Sequence, residues 1–342
     1  MRDAVHGSKP FAEGRNGVAA WQLVTTFLFF AIVMGCASLA PLWLAPFFAF
    51  PLGLTLIRIF IFQHDCGHRS FLGPVGSVSR ARSNDRLGVL ISCVTGIPYV
   101  AWRTEHNWHH AHQGKIWYRG VDKTNSPMTV EEALRDRDGA ILRARTVRPF
   151  RIFVLGFVSL VVLRKRPRAY FQFQERFPDP NVHGDVMRRS CMTTGIGHVA
   201  FLAAVGAVAG WQVLLLSMLP SYFVAGGLGT WLFWIQHNFE RTCQLNEVEW
   251  DHARISIEGS SYLRLGPVLQ WFTGNIGLHH VHHTNPRIPN YRLEEARRAL
   301  APLACVEPLS GADLRRCFSH VFWDSKRQKM VPLGEVGIIP ER

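Results

Sequence analysis

Trp21-Gln22-Leu23-Val24-Thr25-Thr26-Phe27-Leu28-Phe29-Phe30-Ala31-Ile32-Val33-Met34-Gly35-Cys36-Ala37-Ser38-Leu39-Ala40 contains no Asp, Glu, Lys or Arg. A helix needs roughly 20 such residues to cross the hydrocarbon core of a bilayer. The stretch belongs to a longer uncharged block, residues 17–57, and a second block covers residues 195–239. Each block has room for two spans. Proline interrupts helices, so the first block divides near Pro41 into spans at about 21–40 and 42–62, and the second near Pro220 into about 195–219 and 221–235. The sequence therefore predicts an all-α integral membrane protein, with four transmembrane helices in two hairpins and a cytosolic helical cap.

Outward from the spans, the chain divides into a polar N-terminal segment (1–20), a membrane domain (21–300) and a C-terminal tail (301–342). The start shows no cleavage site ahead of a short apolar core, so no removable signal is expected. Pro308, Pro332 and Pro340 predict a loosely structured tail. Neither hairpin tip carries Lys or Arg, whereas residues 69–189 and those after Arg241 hold nearly all the basic residues. The positive-inside rule then places both termini and both polar regions in the cytoplasm. The formal net charge of +13 does not point to nucleic acid, because no basic segment has recognition-helix spacing or an aromatic stacking platform. Anionic lipid headgroups are the simpler partner.

Two more apolar runs, 88–101 and 152–163, are too short to span and predict interfacial or re-entrant helices. Arg164, Lys165, Arg166 and Arg168 after the second run would then sit at headgroup level. The seven cysteines show no paired spacing and predict free thiols.

Sixteen histidines would mean little if scattered, but eight fall into three compact sets. His64 and His68 are four apart; His106, His109 and His110 stand at i, i+3 and i+4; His279, His282 and His283 repeat that spacing. On a helix these offsets share a face. Each set also follows an apolar stretch, so all three arrive at one cytoplasmic membrane boundary, where ionisable residues are expensive and functional. Any single set could be a surface pair; three on one side argue against coincidence. Iron, copper, zinc and nickel all accept imidazole nitrogen, and eight such donors exceed what one ion uses, so two ions are implied. A structural zinc site is the poorer rival, since it wants four ligands, often cysteine, in a closed shell.

Gln63-His64-Asp65-Cys66-Gly67-His68-Arg69-Ser70-Phe71 and Trp102-Arg103-Thr104-Glu105-His106-Asn107-Trp108-His109-His110 resemble the first two boxes of the membrane fatty acid desaturase family, in its bacterial acyl-lipid omega-6 (delta-12) type. Gly274-Asn275-Ile276-Gly277-Leu278-His279-His280-Val281-His282-His283 and Pro286-Arg287-Ile288-Pro289-Asn290-Tyr291 extend the likeness, which runs from about Phe62 to Leu293. The resemblance implies two iron ions, molecular oxygen as co-substrate, and insertion of a cis double bond into an acyl lipid or acyl thioester. It also implies a ninth metal-binding histidine at the end of the fourth span, the place of His237. Asp65, Glu105, Asn107 and Asn275 are expected to hold the free N–H of metal-bound histidines. His112 and His280, off the main faces, are expected to support the site from outside. His183, His198, His252 and His320 are isolated. Residues 120–132 depart from the family's pattern of a Gly-Asp-aromatic stretch before Thr-Val-x-Glu, which bears on regiochemistry and substrate form rather than on the metals.

No haem, flavin or iron–sulfur motif is present. Electrons are therefore expected from a separate ferredoxin or cytochrome b5-like donor, at what would be a bacterial inner membrane. A di-iron hydroxylase is the nearest alternative. A metal transporter or sensor is the other, and it would need histidines or acids inside the spans to make a path, where almost none but His198 is found.

Overall fold

The computed structural model describes residues 1–117, 127–158 and 184–338. Residues 120–126 of the expected loop 120–132, the basic cluster Arg164 to Arg168 and His183 lie outside them. A short helix α1 (Arg2–Gly7) leads to α2 (Asn16–Leu39), and Pro41 separates this from a 3-10 turn (Leu42–Phe48) continuous with α3 (Ala49–Gly67). Val24, Leu28 and Ile32, one turn apart on α2, are each more than half exposed. Such an apolar stripe suits lipid rather than water.

The run 88–101 does not form one short helix. Gly96 takes φ 70°, a left-handed conformation that glycine adopts freely, and ends α4 (Val78–Thr95). Pro98 then caps α5 (Tyr99–His112), and the two axes bend by 106°. That bend turns the second histidine box across the end of α3, which packs against α2, α4 and α5.

Beyond residue 126 come β1 (Met128–Thr129), α6 (Val130–Arg135), α7 (Arg137–Thr146) and α8 (Pro149–Phe157). Helix α8 covers the start of the second short apolar run. The second uncharged block opens with α9 (Gly184–Ala209), and a helical stretch from Trp211 continues into α10 (Leu219–His237). Among the described residues, four stretches are thus long and apolar enough to cross a membrane: Asn16–Leu39, Leu42–Gly67, Gly184–Ala209 and Trp211–His237.

The second break falls at Gly210, not Pro220 as expected. Gly210 has φ 94°, open to glycine and costly for other residues. Pro220 stays inside the fourth span because a wider π-type turn at Leu214–Met218 directly precedes it, loosening the hydrogen-bond ladder that proline would otherwise break. Helix α10 packs along α3 and α8.

The chain continues with α11 (His252–Glu258), α12 (Pro267–Phe272), α13 (His279–Thr284) and α14 (Leu293–Ala299). Arg58, the first charge after the uncharged block, is buried in α3 and satisfied. Its Nε donates to Thr26 Oγ1 at 2.8 Å, its Nη1 donates to the Trp271 carbonyl, and its guanidinium lies 4.0 Å from the Trp271 ring centroid. It pins α12 to the spans.

The tail is folded, contrary to expectation. Strand β2 (His320–Asp324) pairs antiparallel with β3 (Lys329–Pro332) and parallel with β1, and Phe322 and Trp323 are buried. Proline stands at the strand end, where a missing N–H is tolerated. The sheet packs on α7, where Arg143 Nε donates to Val321 O at 3.0 Å, and on α10, where Trp234 Nε1 donates to Cys317 O at 2.7 Å. Trp323→Ala should therefore cost about 3–5 kcal/mol, read as a lower thermal midpoint in detergent. An unchanged midpoint would mean that the tail does not stabilise the bundle.

Candidate metal centre

The first box lies at the C-terminal end of α3. His68, just past its last residue, keeps helical register because its N–H donates to His64 O at 3.2 Å. Boxes two and three lie on α5 and α13, and His237 is the last residue of α10. All nine of these histidines converge. The Nε2 atoms of His64 and His106 stand 3.0 Å apart, those of His106 and His110 3.1 Å, and those of His110 and His282 3.1 Å. On the other side His279 Nε2 lies 2.9 Å from His237 Nε2 and 3.1 Å from His283 Nε2, which is 3.4 Å from His109 Nε2.

Two groups result. His64, His68, His106, His110 and His282 form one; His109, His237 and His283 form the other, with His279 beside them. The sequence reading expected each box to project its rings together, and the structure splits boxes two and three. Helical geometry explains this. With 3.6 residues per turn, about 100° per residue, positions i and i+4 differ by only about 40°, while i+3 falls about 60° to the other side. His106 and His110 therefore share one group and His109 joins the other; His279 and His283 share one and His282 crosses over.

The donors fit metal ions. Metal–nitrogen bonds of roughly 2.1 Å put adjacent ligands of an octahedral ion roughly 3.0 Å apart, close to the observed spacings. A neutral imidazole has one N–H, so so many converging nitrogens cannot all satisfy one another. His68 Nε2 is buried without a hydrogen-bond partner among the described residues, an orphan that an ion would satisfy. Burial, reinforced by neighbouring histidines, pushes the imidazoles of His68, His279, His282 and His283 well below their ordinary range. They are thus held neutral, the form whose lone pair binds metal. An all-imidazole donor set accepts iron, zinc, copper or nickel.

Neighbouring groups orient the rings. Asp65 Oδ1 lies 3.1 Å from His64 Nδ1, and its Oδ2 accepts from Asn290 N at 2.7 Å and Asn290 Nδ2 at 2.9 Å. With Nδ1–H given to Asp65, His64 keeps its Nε2 lone pair for the centre. Asn275, at φ 59°, bonds to no histidine among the described residues; its Nδ2 donates to Asn290 O at 3.0 Å and so braces Asp65 indirectly. Asn107 is exposed and bonds to no histidine among the described residues, because its place on α5 faces away from the cluster. His112 donates to Trp108 O at 2.9 Å and stacks on the Trp108 ring, outside both groups. His280 donates to Leu303 O at 3.2 Å, in a different core. Glu105 lies beside His106 on the wall of a cavity. His198 donates to Cys93 O at 2.9 Å, away from the cluster. Gln113, Gly259 and Asn290 contact the site without having been singled out; Asn290 lies in the quoted Ile288-Pro289-Asn290-Tyr291 motif, but spacing alone gave it no role.

That cavity has a volume of about 570 Å³ and reaches from the histidines into the spans. His64, His106, His109 and His279 form one wall, and side chains such as Leu56, Ile57, Ile61, Leu155, Ala225 and Phe233 line the rest. It is shaped for an apolar chain presented to the clustered nitrogens.

Comparison with known proteins agrees with this arrangement. Residues 41–308 match the family model described as fatty acid desaturase. A fatty acid desaturase of Bacillus subtilis (strain 168) is 33% identical over 339 residues, 96% of this chain and 90% of that protein. The sn-1 oleoyl-lipid 12-desaturase of Picosynechococcus sp. is 26% identical over 286 residues, 82% of this chain and 76% of its own length. The sn-2 acyl-lipid omega-3 desaturase (ferredoxin), chloroplastic, of Helianthus annuus is 27% identical over 287 residues, covering 80% and 60%. Four membrane-length helices, a doubled histidine cluster at the head of an apolar cavity and a match running through all three boxes have one common explanation: the chain is an oxidoreductase of the fatty acid desaturase family.

Proposed function

We propose that the protein is an oxygen-dependent acyl desaturase that introduces a cis double bond into a membrane-associated acyl chain. In this reading His64, His68, His106, His110 and His282 hold one iron, and His109, His237, His279 and His283 hold the second. The observation that carries it is the apolar cavity ending on histidines of both groups. When bound, the irons supply the chemistry that removes two hydrogens from adjacent methylenes, while oxygen, two electrons and two protons become two waters.

The chain's own residues do the positioning. Each methylene buried among the cavity's aliphatic side chains contributes about 0.8 kcal/mol, so burial of the chain supplies the binding energy that aligns the substrate. Trp102 stacks on His106 at 4.6 Å between ring centroids, and Phe233 lies 5.4 Å from His109. These rings keep water from the reacting carbons. Asp65 holds His64 in one tautomer.

The sn-1 oleoyl-lipid 12-desaturase supports a lipid-borne substrate over a free thioester, and the ferredoxin in another relative's name supports a small one-electron donor, with a cytochrome b5-like carrier as the alternative. The placement of basic residues supports a cytoplasmic site at a bacterial inner membrane. Fatty acid profiling of a host expressing the protein, with double-bond location by mass spectrometry, tests the reading. New cis double bonds and about two irons per chain are expected. Hydroxylated lipids with no new double bond would make the protein a hydroxylase, and zinc alone without oxygen consumption would remove it from this chemistry.

A further inference from the structure

We infer that Gln113 is the positioning residue for His237, and that it governs metal loading at the second histidine group alone. The inference rests on the two-iron reading. Gln113 directly follows α5 and is buried. Its Nε2 donates to Gly259 O at 2.7 Å and to Ser260 Oγ at 2.9 Å, which uses both amide hydrogens. The same Nε2 stands 3.2 Å from His237 Nδ1, and His237 Nδ1 stands 3.2 Å from Gly259 O.

These contacts allow one consistent assignment. The Gly259 carbonyl has two lone pairs and accepts from both Gln113 and His237. His237 thus carries its hydrogen on Nδ1, leaving the Nε2 lone pair directed at the group, 2.9 Å from His279 Nε2. Turning the amide over would set the Gln113 oxygen against Gly259 O at the same short distance, oxygen facing oxygen, so the orientation is fixed. Gln113 is itself anchored: Trp250 Nε1 donates to its carbonyl at 3.1 Å, and Leu245 N donates to Gly114 O at 2.9 Å.

The acceptor is anchored too. Ser261 N donates to Gln236 O at 2.9 Å, tying residues 259–261 to the end of α10. A Cβ at Gly259 would lie 2.7 Å from Ile255 O and 3.0 Å from Gln113 Nε2, so this close approach requires glycine. Among the described residues, Gln113 bonds to no histidine of the first group. Through the shared Gly259 carbonyl, one side chain therefore couples the end of the second box to the histidine that no box contains.

Gln113→Leu keeps volume and removes both donors. Purified wild type is expected to hold about two irons and the variant about one, because Gln113 holds the Gly259 carbonyl that accepts from His237, and disturbing such an outer partner lowers metal affinity by about 10- to 100-fold. Timed release to a chelator gives a second readout that does not depend on turnover. In Gln113→Leu or in the milder Ser260→Ala, one of two release phases should accelerate while the other keeps its wild-type rate. General loosening would accelerate both phases, and that result, or wild-type release in both variants, would overturn the inference. If Gln113→Leu fails to fold, Ser260→Ala decides by the same criterion. Wild-type protein with fewer than two irons would instead refute the two-iron reading.

Discussion

His282→Ala is expected to reduce desaturation at least about 100-fold, the upper range for losing even an outer partner of a metal site, and to lower the bound iron. His282 is the member of the third box that crosses to the first group, with Nε2 3.1 Å from His110 Nε2 and its ring 4.5 Å from that of His64. No other residue of α13 joins that group. The adjacent histidine supplies the control. His280 points to Leu303 O in a separate core, so His280→Ala should keep its iron and lose about 1–3 kcal/mol of stability from an unsatisfied buried carbonyl. Iron content, thermal midpoint and product profile measured on both variants separate the roles. Wild-type product from His282→Ala would refute the first group as drawn.

Gly229→Phe should give the opposite pair of readings, with iron retained and product lost. Gly229 lines the cavity, and a Cβ built on it meets no atom within 4 Å. A phenyl ring there can occupy substrate space without pushing into the helix packing. Displacing three or four methylenes removes about 3 kcal/mol of burial, about 100-fold in affinity. Two irons per chain with collapsed desaturation would locate the acyl chain in this cavity. Unchanged product would place it elsewhere.

Much of this was legible in the residues. Absence of charge over residues 17–57 and 195–239 is enough to set four spans, since few other structures accommodate such runs. The box histidines were legible because i, i+3 and i+4 are neighbours on any helix. What escaped has physical causes. Proline near residue 220 looked like a break because its local cost is large, yet a π turn absorbs it, and glycine at 210 carries the turn through a dihedral that sequence does not display. The tail looked loose because prolines were weighed without partners; its strands are fixed by Met128 and Thr129, far away in sequence. Asn107 and Asn275 look equivalent in sequence, but only Asn275 reaches the Asp65 network, because tertiary contacts through Asn290 decide it.

The split of the boxes gives residue counting a meaning beyond proximity. An extra residue between His106 and His109 would leave the chain just as rich in histidine. It would turn the later pair by about 100°, setting His109 where His110 now points and sending His110 away from both groups. The same arithmetic holds for His279, His282 and His283. An offset of three or four works as an address, naming which of two destinations a side chain serves, and a family scan that scored only histidine density would lose it.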